Sequence, residues 1–260
     1  MRYIKELVKE RYENYVKKHN KFVFTHVPKC AGSALSQSLL EGLYPSFVRN
    51  SPLTTGIDIK LANRIAERLD IHEQKVREVH LATLLASQKK VFITGHCYAN
   101  PLLVKEYCDN WNFITVLRDP VDRFISEYVY NKFKQEKWKN DEKEFEEYIR
   151  GMRARSSGIT YARFFSGLSE KQILDAPTIA INSSVGNLKN YHKVGFLDEM
   201  HNWIEELNNE FEASIKIRET NKSPNREVFE EIKSSEKLMK NLYEICEIDI
   251  EIYKKIRALR

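Results

Sequence analysis

The chain lacks the features that mark several large protein classes. No run of 18 or more apolar residues occurs in its 260 residues, which excludes a membrane-spanning helix of ordinary length. Cysteine is scarce. The four, at positions 30, 97, 108 and 246, have spacings that fit neither a zinc site nor a dense disulfide framework. That scarcity predicts a reducing, cytoplasmic compartment. The first twenty residues are charged throughout, with Lys5, Lys9, Lys17 and Lys18. They hold no apolar core and no small-residue cleavage site, so no secretory leader is expected. Charge of one sign is in short supply too. Lys and Arg number 42 against 37 Asp and Glu, a net +5. This mild basic bias suits an anionic ligand. Without clusters of basic and aromatic residues it does not point to nucleic acid. Internal repeats and low-complexity tracts are absent as well.

What is present is a globular composition, 42% hydrophobic and 30% charged. The length suffices for one large α/β domain over residues 1–260. It is expected to comprise a helical start at 1–20, a ligand-binding core at 21–135 and a helical remainder at 136–260. Strands are expected at 22–27, 91–94, 113–117 and 193–196, with an edge strand at 215–217. Helical patterns lie between them, including 3–18, 35–43, 60–69, 73–88 and 101–109, and a long one opening at Pro120. Tyr12, Tyr15 and Val16 belong to the amphipathic first helix, which is expected to pack on the domain. Strands separated by helices predict a parallel sheet with crossovers. The expected fold is a P-loop-like three-layer α/β sandwich, with four to five parallel strands flanked by helices. Residues 44–59 hold Pro45, Pro52 and Gly56 and read as a loop forming a substrate-side rim or lid.

The most informative segment is His26-Val27-Pro28-Lys29-Cys30-Ala31-Gly32-Ser33-Ala34. It joins the first strand to a helix. A small-residue loop that opens a helix presents backbone N–H groups, and the positive end of the helix dipole, to an anion. Gly32, Ala31 and Ser33 permit close approach of a phosphate to the backbone, and Lys29 adds a mobile charge. The order is not that of a Walker A loop. The lysine precedes the only glycine, and no Lys-Ser or Lys-Thr follows it to hold magnesium. Cys30 beside Lys29 raises the expectation of a lowered thiol pKa and, as a minor alternative, a redox switch.

A second motif closes the third strand: Leu117-Arg118-Asp119-Pro120-Val121-Asp122-Arg123-Phe124-Ile125-Ser126-Glu127-Tyr128. Arg118 and Ser126 can together grip a phosphate through charge-assisted hydrogen bonds. The plainer alternative pairs Arg118 with Asp119 or Asp122 and leaves Ser126 on the surface. The loop at 28–34, His96 and Arg118 all fall at carboxyl ends of expected strands, where ligands bind in parallel sheets.

The two motifs together resemble those of the sulfotransferases that use 3′-phosphoadenosine 5′-phosphosulfate (PAPS). The likeness is greatest to the carbohydrate branch that includes the heparan sulfate 2-O- and 6-O-sulfotransferases. It runs from about residue 22 to 135, and continues weakly through Tyr161–Gly167, Val194–Glu199 and Asp249–Tyr253. Each motif is moderately specific; the ordered pair is highly specific. The resemblance implies sulfuryl transfer to an acceptor hydroxyl, that of a sugar, with adenosine 3′,5′-bisphosphate (PAP) as product and no metal. Lys29 would stabilise the leaving oxygen. Pro28, Lys29, Cys30, Ala31, Gly32, Ser33 and Ala34 would bind the 5′-phosphosulfate, and Arg118 and Ser126 the 3′-phosphate. Cys30 and Ala34 stand where the family more often has hydroxyl residues, so Ser33 is the one hydroxyl donor expected there. His96, in Gly95-His96 after the second strand, is the expected general base. His26 is the runner-up, although the family's residue at this position supports the loop, and Asp122 and Glu127 are the carboxylate alternatives. Lys222 and Ser223 are expected to close over the nucleotide, with Arg163 a further anion-binding candidate. Trp111, Trp138 and Trp203 read as core or rim. Acceptor contacts are expected from 44–59, 97–103 and 135–165. Two other classes remain open: a kinase-like nucleotide enzyme, and a catalytically silent PAPS- or PAP-binding protein.

Overall fold

A computed structural model describes residues 2–134, 143–217 and 225–260, with side chains from residue 10 onward. Five strands form one sheet: β1 (Phe22–Thr25), β2 (Thr54–Gly56), β3 (Phe92–Gly95), β4 (Asn112–Leu117) and β5 (Lys193–Phe196). Their order is β2-β3-β1-β4-β5, and every pairing is parallel. β1 lies in the middle with all four residues buried, as its unbroken apolar Phe-Val-Phe predicts for a strand covered on both faces.

The alternation of side chains divides the core into two layers. Val23, Ile93, Phe113 and Leu117 face a cluster with Trp111, Tyr161, Phe165 and Ile252. Phe22, Phe24, Phe92, Ile114 and Val116 face another with Leu35, Leu39, Trp203 and Leu207. Helices cover both faces, which gives the expected three-layer sandwich. Tyr12, Tyr15 and Val16 pack into the second layer, so the described part of the helix Arg2–Lys18 rests on the sheet. A third cluster joins the helix Pro120–Phe133 to Phe145, Tyr148, Ile232 and Leu242. Trp111 and Trp203 are buried in the core, while Trp138 lies outside the described residues.

Two expectations are corrected, and together they exchange the edge of the sheet. Residues 44–59 are not a free lid. They form a short helix, Ser46–Arg49, and β2, which pairs with β3 from Thr54↔Phe92 to Gly56↔Thr94. Val48, Leu53 and Ile57 are buried beneath them. An edge strand of three residues needs only one bonded neighbour, so Thr-Thr-Gly two residues after Pro52 suffices. Conversely, Ile215–Ile217 is not a strand. Asn208 brackets Ile215, its Oδ1 accepting from the Ile215 N–H at 2.7 Å and its Nδ2 donating to the Ile215 carbonyl at 3.1 Å. The Ser214 N–H donates to the Gly42 carbonyl at 3.2 Å. These bonds use the polar groups a ladder would need and lay the segment against the helix Gly32–Leu43.

That crossing depends on Gly42. A Cβ there would lie 2.4 Å from the Ile215 Cα, a backbone atom that cannot step aside. Gly42→Ala gains about 1 kcal/mol of helix propensity. The overlap costs about 1–3 kcal/mol. A lower urea midpoint at unchanged slope is the expected outcome, and an unchanged or higher midpoint would show that the segment yields.

Candidate active site

The loop after β1 is shaped by two left-handed residues, Lys29 (φ 66°) and Ala31 (φ 58°). Ala31 is the N-cap of the helix Gly32–Leu43, and no side chain caps that helix. The first turn therefore keeps its N–H groups for another acceptor, in a concave backbone of the kind that binds anions. Ala31 and Ser33 are exposed, so the concavity opens to solvent. Gly32 is required for contact: a Cβ on it would stand 1.7 Å from the His26 Cδ2. The imidazole of His26 occupies the space a side chain at 32 would fill.

His26 is itself placed by the sheet, its N–H donating to the Gly95 carbonyl at 2.9 Å. Gly95 has φ 134°, and a Cβ there would press on Ile57, which follows β2. This turn sends His96 back over β1, where its ring stacks on that of His26 with centroids 4.3 Å apart. Phe164 meets His96 edge-on at 6.5 Å. Burial, with the neighbouring His96 and Lys29, lowers the His26 pKa to about 3. A group so acidic is a poor proton acceptor at neutral pH, so His26 serves as a wedge under the loop rather than as a base.

The second motif reaches the same place. Asp119 caps the helix Pro120–Phe133, accepting from the N–H groups of Val121 and Asp122 at 3.0 Å each. Asp122 pairs with Lys233 at 2.7 Å. Neither carboxylate takes Arg118, whose guanidinium lies 5.5 Å from the Phe229 ring centroid. Ser126 is 4% exposed, and among the described residues no hydrogen bond engages its hydroxyl. Four residues on, and so on the same face of the helix, is Tyr130. The Lys29 ammonium stands 3.8 Å over its ring. Lys29 thus rests on the helix that carries Ser126, one turn further along it.

The charges around Lys29 explain its chemistry. Burial lowers its pKa to about 8; Glu127 opposes that effect, while Arg118 adds to it. Burial pushes the Glu127 carboxyl up, but Arg123 at 2.6 Å and the Ser157 hydroxyl at 2.8 Å outweigh this and leave it below its usual value. Asp122 and Glu127 are therefore both committed to ion pairs, which weakens them as alternative bases. Arg163 is committed as well, to Glu170 at 2.9 Å.

Cys30 corrects an expectation. Its side chain is buried, and burial raises the thiol to about 11 despite the opposing charge of Arg123. The backbone of the loop faces the anion site while the thiol points into the core, 3.8 Å from the Tyr161 hydroxyl. Proximity to Lys29 in sequence does not produce a thiolate, and the redox switch falls with it. Lys222 and Ser223 lie outside the described residues. Sequence reasoning missed Tyr130 and Phe229, the aromatic rests for Lys29 and Arg118. Tyr130 carried a signal in its spacing from Ser126; Phe229 carried none.

The geometry defines an α/β protein in which a lysine-bearing loop and an arginine both lie at the carboxyl end of a parallel sheet. The chain belongs to the sulfotransferase family, whose family model it matches over residues 12–255. It is also similar to the crystal structure of a sulfotransferase from Alicyclobacillus acidocaldarius, at 14% identity and a TM-score of 0.41, covering 88% of this chain and 96% of that one. No curated protein matches the chain. Among the described residues no helix is long and apolar enough to cross a membrane, and no group of three or more His, Cys, Asp or Glu could hold a metal ion.

The burial pattern sets an outcome for thiol chemistry. Cys108 is partly exposed, whereas Cys30, Cys97 and Cys246 are buried and raised to about 11, 11 and 12 respectively, chiefly by burial. At pH 8 an aromatic disulfide reagent is expected to titrate one thiol quickly and the other three only on unfolding. Fast labelling of Cys30, located by peptide mapping, would contradict its placement.

Proposed function

We propose that the chain transfers a sulfuryl group from PAPS to an acceptor hydroxyl, that of a carbohydrate, with His96 as general base. The observation that carries this reading is the Lys29 ammonium 3.8 Å over the Tyr130 ring, on the helix that the second motif opens. In this reading the two motifs, separated by almost a hundred residues, form one cationic cradle.

The donor supplies an activated sulfuryl group and two phosphates as handles. In this reading the N–H groups at 31–34 hold the 5′-phosphate end, with the Ser33 hydroxyl beside them; the Cys30 N–H, also expected there, instead donates to the Val27 carbonyl at 3.4 Å. Arg118 and Ser126 hold the 3′-phosphate by charge-assisted hydrogen bonds. Lys29 stabilises the charge that develops on the leaving oxygen, the largest catalytic contribution expected where little covalent chemistry falls to the protein. His96 takes the proton from the attacking hydroxyl. His26 supports this assignment by being buried, acidic and wedged against Gly32.

The decisive measurement is transfer of radiolabelled sulfate from PAPS to a panel of glycans, lipids and small hydroxylated metabolites. Lys29→Ala is expected to lower kcat about 10²–10³-fold. His96→Ala is expected to lower it about 10²–10⁴-fold while sparing PAP binding. Transfer unaffected by both changes would sink the mechanism. Binding of PAP without turnover on any acceptor would favour the silent binding protein, and magnesium-dependent phosphate transfer from ATP the kinase.

The pH profile offers an independent check. With a pKa of about 8, Lys29 is charged below that pH and loses its charge as pH rises through it. The kcat/KM for the donor reports groups of the free enzyme, so it should fall above pH 8. Lys29→Arg keeps its charge throughout and should remove that alkaline limb, whatever it costs in absolute rate. A limb that persists in Lys29→Arg belongs to another group.

A further inference from the structure

Tyr161 belongs to neither motif, yet its hydroxyl touches both. It lies in the helix Thr160–Phe165 and is fully buried. Its oxygen accepts from the Arg118 N–H at 2.9 Å, and its proton goes to the Arg118 carbonyl. The same oxygen lies 3.8 Å from the Cys30 Sγ in the first loop. One phenol therefore satisfies both backbone polar groups of the residue that follows β4. Tyr191 shows how an ordinary buried tyrosine of this core behaves: its hydroxyl meets the Thr25 hydroxyl at 2.9 Å, well inside the sheet.

Tyr161 is in turn held from a distant part of the chain. Asp249, in the helix Glu247–Arg257, is fully buried, and its two oxygens accept from the N–H groups of Tyr161 at 2.7 Å and Ala162 at 3.0 Å. Ile159, the N-cap residue, offers that helix no side-chain bond, so Asp249 caps it from another element. Burial raises the Asp249 carboxyl to about 7, against the opposing pull of these N–H groups and of Arg123. A carboxylate kept under that penalty is fixed by geometry rather than chosen for core stability.

Arg118 combines a clamped backbone with an uncommitted head. Among the described residues no carboxylate pairs with its guanidinium, which rests near Phe229. A fixed stem and a free fork are what a preorganised anion binder requires, because ordering costs are met before the ligand arrives. We propose that Tyr161, oriented by Asp249, is a positioning residue that aims Arg118 and so sets the preference for a nucleotide carrying a 3′-phosphate. This rests on the reading that Arg118 receives that phosphate.

The test compares adenosine 3′,5′-bisphosphate with adenosine 5′-phosphate, by calorimetric competition, on the full chain. Tyr161→Phe keeps the ring and removes only the hydroxyl. It is expected to weaken the bisphosphate on the order of tenfold while leaving the monophosphate unchanged. The KM for PAPS should rise in step, with kcat falling less. Asp249→Asn keeps one acceptor and should show the same selective loss in smaller measure, and it carries the test if Tyr161→Phe does not fold. In an Arg118→Ala background Tyr161→Phe should add nothing, since residues acting as a unit are not additive. Equal loss of both nucleotides, no loss, or full additivity would each overturn the positioning role. If Arg118→Ala alone leaves bisphosphate affinity intact, or the wild type does not prefer the bisphosphate, the donor assignment itself fails.

Discussion

Thr25 ends the central strand with no exposure to solvent, and its polar atoms tie the middle of the sheet together. Its carbonyl accepts from the Thr115 hydroxyl at 2.8 Å, and its own hydroxyl meets that of Tyr191 at 2.9 Å. It pairs with Gly95 on one side and Thr115 on the other, so β1 and β3 stop at the same level and β4 runs two residues further. A buried polar group must find partners within its own layer, which pins the register more tightly than apolar packing alone. From that level the chain leaves β1 into the anion loop, β3 into His96 and β4 into Arg118. A slip of one residue in any strand would turn its side chains to the opposite face and separate the three.

The electrostatic design sorts the cations by what they are paired with. Arg123 is fully buried, and its two terminal nitrogens donate to Glu127 and to the Ser157 carbonyl and hydroxyl, while its Nε has no hydrogen-bond partner among the described residues. Leaving either member of such a pair unmatched costs about 3–5 kcal/mol, so Arg123 belongs to the framework. Lys29 and Arg118 differ. Each rests against an aromatic ring, a contact worth about 0.5–2 kcal/mol, less than a charge-assisted bond to an anion. The framework pair thus takes up Glu127, the carboxylate that raises Lys29, while the positive charges of Arg118 and Arg123 depress it further.

Both motifs, four of the five strands and the parallel class were legible because each is a local pattern. Val91–Thr94, Phe113–Leu117 and Val194–Phe196 are short apolar runs bounded by turn residues, and Pro120 announces its helix. What was not legible depends on partners far along the chain. Thr54–Gly56 is a strand only because β3 offers it an edge. Ile215–Ile217 has the composition of a strand and is kept from being one by Asn208 and Gly42. Cys30 sits next to a lysine in sequence, but the loop turns its thiol the other way, into the core. Tyr161 and Asp249 carry no local signature for a role at the site, since what they do is defined by backbone groups over forty and over eighty residues away.

The pair of histidines shows why sequence position and chemical role separate. His26 and His96 both directly follow a strand, and by sequence either could accept a proton. Their rings stack at 4.3 Å, a distance at which two imidazolium charges repel strongly in a partly dry setting. Burial resolves the conflict by holding His26 neutral, packed on Gly32. His26 becomes an apolar spacer that sets the height of the loop. His96 lies across it and is partly exposed, and it is the imidazole to which the proposed reading gives the proton. Removing the His26 ring would consequently act through the loop it props, by emptying the space beside Gly32.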